Sequence, residues 1–86
     1  MEERERRRLL ERLRDELDSA HAGDPEMKAL SEETRRALAA LPADRGEIYR
    51  SFRERLQRAV KQYGASHPKL TSTMAQVIDQ LGMWGI

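Results

Sequence analysis

Cysteine is missing from all 86 residues. That removes disulfide scaffolds, thiolate metal sites, iron–sulfur clusters and cysteine nucleophiles together. Histidine is nearly missing too: His21 and His67 are the only two, far apart in sequence and without ligand spacing around either. Aromatic residues make up 5% of the chain, one Trp, two Tyr and one Phe. No uninterrupted apolar run approaches the roughly 18 residues that a membrane-crossing helix needs. The charged N-terminus leads into no apolar stretch of signal-peptide type, so the expected compartment is the cytoplasm. Nor is there a surplus of one charge: 16 Lys+Arg face 15 Asp+Glu, a net of +1. A nucleic-acid-binding chain usually carries a clear basic excess, and this one does not.

What the chain does have is charge, 36% of its residues, laid over a helical rhythm. Glycine and proline divide it into four segments, and none of these alternates as a strand would. The first helix is expected over 2–20, striped by Leu10, Leu13, Leu17 and Ala20 with Leu9 at the edge, and stopped by Gly23. Asp24-Pro25-Glu26 supplies an N-cap, a first-position proline and a first-turn acid, so the second helix is expected over 25–41 with Met27, Leu30, Thr34, Leu38 and Leu41 inward. Ser31-Glu32-Glu33 is a competing start; one continuous helix is the favoured reading. Asp44 and Glu47 have capping-box spacing ahead of a third helix over 45–63, striped by Ile48, Phe52, Leu56, Ala59 and Tyr63. Ser66 or His67 caps a fourth helix over 67–82, whose Leu70, Met74, Val77, Leu81 and Trp84 form a heptad-like seam.

Residues 1–86 are thus read as one all-α domain, a three- to four-helix antiparallel bundle or a set of paired helical hairpins. Ten of the apolar residues are alanine, so the core is small. Completion by a second copy is the expectation that follows, with Leu70, Met74, Val77, Leu81 and Trp84 as the interface. Trp84 would serve equally to close the chain's own core or to anchor a partner.

Ser66-His67-Pro68-x-Leu70, then Ile78-x-x-Leu81, then Gly85-Ile86 resembles the C-terminal box of a family of small bacterial proteins known only as a domain of unknown function. A leucine-striped charged first helix and a Glu-x-x-Arg segment, here Glu32 to Arg35, agree with it. Met83-Trp84 is bulkier, and the Pro42–Gly46 connection shorter, than that pattern. The resemblance implies a small bacterial helical protein and brings no activity, cofactor or catalytic residue.

The residues themselves offer no catalytic set, cofactor motif or metal-ligand set, so neither an enzyme nor a bound cofactor is expected. His67 could act as base, ligand or sensor, but Ser-His-Pro ahead of an apolar seam is also what a helix start requires. His21 is read as a cap on the end of the first helix. Arg50, Arg53, Arg55, Arg58 and Lys61 make the third helix the most basic, with Glu47 and Glu54 among them. These charges spread around the outer face instead of forming one stripe, which favours a solvated, salt-bridged surface. The favoured function is protein–protein association as a homodimer, with docking of a further protein partner through the charged faces. The runner-up is nucleic-acid or ribosome association through Arg50, Arg53, Arg58 and Lys61. Peripheral membrane attachment through the apolar tail is third.

Overall fold

Four helices follow one another in the computed structural model, which describes residues 3–20, 23–41 and 46–83: α1 (Glu3–Ala20), α2 (Pro25–Ala39), α3 (Gly46–Tyr63) and α4 (Pro68–Met83). No strand occurs among the described residues. Along α1 the inward stripe is Leu10, Leu13 and Leu17, all fully buried, while Arg4, Glu5, Arg8, Arg12 and Asp15 are exposed and Arg12 pairs with the half-buried Glu16 at 3.4 Å. Gly23 makes the turn into α2 at φ 90°, a conformation that favours glycine.

Asp24 caps α2, its carboxylate accepting the Glu26 and Met27 N–H groups at 3.0 and 3.4 Å, and Pro25 holds the first helical position. The helix runs through Ser31 without a break and ends at Ala39, two residues before the expected limit, although Leu41 is still buried. The capping residue proposed for α3, Asp44, lies outside the described residues, as does His21. Gly64 follows α3 where a Cβ would meet the Val60 carbonyl oxygen at 2.9 Å, so a larger residue would force that oxygen aside.

One position in the expected core needs correction. Ile48 is only half-buried, and Tyr49 takes the inner position beside Phe52, Leu56, Ala59 and Tyr63. The reason is a polar anchor: the Tyr49 hydroxyl donates to the Ala37 carbonyl at 3.0 Å, which turns the ring inward against the end of α2.

Chain-adjacent helices pack as antiparallel hairpins, α1 with α2 and α3 with α4, and α1 also meets α4 while α2 meets α3. Helices at diagonal corners are not neighbours. The arrangement is an up-down-up-down bundle measuring 32 × 20 × 19 Å. Its radius of gyration, 11.9 Å, equals the roughly 12 Å expected of a compact chain of this length, so the hairpins close on each other within one chain.

That closure corrects the interface. Leu70, Met74, Val77 and Leu81 are 5%, 0%, 0% and 0% exposed, packed into the chain's own core. A seam already filled by α1 and α3 has no area left for a second copy in this fold. Trp84, the fifth residue of that seam, lies outside the described residues, as do Gly85 and Ile86.

Candidate functional site

Polar chemistry in this bundle is concentrated at its helix ends and between neighbouring helices. At one end, Tyr63 closes α3 and its hydroxyl donates to Asp24 Oδ2 at 3.0 Å, tying the last turn of α3 to the N-cap of α2. Burial raises the Tyr63 pKa, and the adjoining Asp24 carboxylate adds to it through the hydrogen bond and its charge, so the phenol is pushed up to about 12. Burial also works to raise Asp24, but the Tyr63 hydroxyl, the two N–H groups of α2 and the nearby His67 outweigh it, and the carboxyl titrates below the ordinary 3.8. His67 stands edge-on to Tyr63, ring centroids 5.9 Å apart at 68°. Its backbone links the two helices: its N–H donates to Tyr63 O at 2.8 Å and its carbonyl accepts from Thr71 N–H at 3.0 Å. His67 thus precedes the first residue of α4, and its carbonyl accepts the first bond of that helix.

A second polar cluster joins α1 to α2. Arg35 donates to Asp18 Oδ2 at 2.7 Å and to Ser31 Oγ at 2.8 Å, and the Ser31 hydroxyl donates to Asp18 Oδ1. Ser31 is buried, so its hydroxyl is satisfied by this cluster and not by water. Between α2 and α3, Arg55 meets Glu33 at 3.5 Å. Of the basic residues singled out on α3, Arg50, Arg58 and Lys61 are exposed and Arg53 is half-buried. None of these four lines the larger grooves among the described residues. The grooves lie elsewhere: about 530 Å³ between the second half of α1 and the start of α4, walled by Asp15 and Glu16 on one side and His67 and Lys69 on the other. A smaller one of about 260 Å³ sits between α2 and α3 over Phe52. No group of three or more metal-ligating side chains forms among the described residues. No helix among them is long and apolar enough to cross a membrane.

A family described as a domain of unknown function, DUF4404, matches residues 7–86. The chain belongs to that family. No curated protein and no solved structure matches it.

The DUF4404 match extends from within α1 to the last residue, over all four helices. It does not single out the His-Pro-x-Leu and Gly-Ile pattern on which the resemblance was first drawn. Within this bundle, four of the expected interface residues, Leu70, Met74, Val77 and Leu81, come together, but in the core. The Tyr63–Asp24 link, the buried Ser31 and the inward Tyr49 were not anticipated from the sequence. Asp24 was legible as a cap and Tyr63 as the end of a stripe; nothing in their spacing, 39 residues apart, shows that they meet.

Proposed function

We propose that this DUF4404 domain is a non-catalytic helical module that works by protein–protein association, first of all with its own copies, in the cytoplasm. The observation that supports this reading is how its polar groups are used. Asp24, Tyr63, Asp18, Ser31 and Arg35, the groups whose placement could suggest chemistry, are each committed to joining one helix to another. The bundle is thus a scaffold whose outer faces carry its function. Light scattering coupled to size-exclusion chromatography, run over a range of concentrations, tests it. A mass near twice 10.0 kDa is expected at the higher concentrations. A mass of one chain throughout removes the self-association.

A second reading rests on α3, where Arg50, Arg53, Arg55, Arg58 and Lys61 outnumber Glu47 and Glu54 while the whole chain is close to neutral. If this helix tracks phosphates, affinity for RNA falls linearly with the logarithm of salt concentration. No binding of RNA at low salt disposes of it.

A further inference from the structure

The outward side of α4 differs from every other outer face of the bundle. Helix α4 holds two charged residues, Lys69 and Asp79, where α1 alternates arginine and acid throughout. Its exposed positions Lys69, Ser72, Gln76, Asp79 and Met83 recur at 3-4-3-4 spacing. That is the same helix-packing rhythm as the buried seam, but turned to solvent. Met83 is 75% exposed, the large hydrophobic residue most open to water among those described. Lys69 and Asp79 make no ion pair with any described residue.

We propose that this face, and not the buried seam, is where a second copy docks, α4 against α4 in antiparallel register. The partner is fixed by charge. A face whose two charges are opposite and ten residues apart is self-complementary under a two-fold axis: Lys69 of each copy meets Asp79 of the other. The same register sets Ser72 against Gln76, hydroxyl to amide, in two further layers, and in antiparallel helix pairing these layers bring the two kinds of seam position together. Parallel pairing would instead set Lys69 on Lys69 and Asp79 on Asp79. Met83 of each copy then falls beside the exposed turn at Ala65 and Ser66 of the other. The chain's net charge of +1 sets little overall repulsion against pairing.

This inference rests on the self-association proposed above and specifies its surface. The test uses the full chain in two variants, Lys69→Glu and Asp79→Lys, followed by sedimentation equilibrium. Each variant alone sets like charges together twice per dimer, and its dimer Kd is expected to rise by about 10-fold or more. Mixed in equal amounts, the two restore both opposite-charge pairs, and a heterodimer with near-parental Kd is expected. Recovery on mixing also shows that neither variant has lost its fold. Unchanged Kd in the single variants overturns the α4 face while leaving self-association standing. Loss without recovery on mixing overturns the antiparallel register. A parental chain that stays monomeric overturns the self-association and this surface with it.

Discussion

Replacing Tyr49 by Phe removes one oxygen atom and leaves the ring in place. The structure gives that oxygen a definite task. Helix α2 ends at Ala39, and Leu41, whose N–H would reach the Ala37 carbonyl if the helix continued, donates to Leu38 at 3.2 Å instead. The Ala37 carbonyl is among the acceptors that every helix leaves open at its C-terminus, and here the Tyr49 hydroxyl fills it from α3 at 3.0 Å. Both residues are buried, so water does not replace the phenol without a change in packing. The net worth of such a bond is about 0.5–1.5 kcal/mol, and an orphaned buried acceptor costs about 1–3 kcal/mol. The expected loss for Tyr49→Phe is therefore about 1–2.5 kcal/mol, and for a domain of this size a fall in Tm of about 5–15 °C. Thermal melts followed by far-UV circular dichroism read the shift. Urea unfolding checks that the m-value is unchanged, so that the loss belongs to the native state. A variant that melts within about 2 °C of the parent refutes the reasoning, since the carbonyl would then be satisfied without the hydroxyl.

Met74→Ala, at a position fully buried within the chain, is expected to cost about 2–5 kcal/mol, and Leu81→Asp to prevent folding, because the seam they form is core. Unfolding of the isolated chain in urea distinguishes this from weakened association between stable monomers, which would contradict the placement. Tyr63 holds its proton to about 12 in the fold against 10.0 in the unfolded chain, so its contribution to stability is complete below pH 10 and lost as pH rises toward 12. Urea midpoints of the parent and Tyr63→Phe should therefore converge across that alkaline window, and a constant gap counts against the link to Asp24. Asp24 is shifted the other way: its contribution is present above 3.8 and lost as pH falls through the lowered folded value. Asp24→Ala should lose less stability than the parent when both are acidified through that range.

The helices were legible because their information is local. Leucines at 10, 13 and 17 on an otherwise charged segment specify both a helix and its inner side, and Asp24-Pro25 marks the start of α2 by capping chemistry that needs no distant partner. Ser31 could not be resolved in the same way. Its hydroxyl reads as a helix start until Asp18 and Arg35 are seen around it, and that depends on how α1 lies on α2. Ile48 and Tyr49 are a case where hydropathy misleads. The more apolar residue was placed inside, but the one with a hydroxyl had a buried carbonyl waiting for it. The α4 seam shows a further limit. Period and hydropathy identify a stripe that must be covered, and they are silent on whether the cover comes from the same chain.

The order in which the helices meet has a bearing on speed as well as shape. Two of the four helix contacts are made inside hairpins, by segments that a few residues connect, and the α2–α3 contact is also between chain neighbours. Only α1 against α4 requires the far parts of the chain to find each other. Proteins built from such short-range contacts fold in microseconds to milliseconds, since little loop entropy is lost before each contact forms. The two hairpins can then form independently and dock, with the α1–α4 side closing last. A truncation along that side, such as Leu9→Ala, whose side chain lines the groove against Gln76 and Gln80 of α4, would then act chiefly by speeding unfolding, while truncations within the hairpin contacts would slow folding itself.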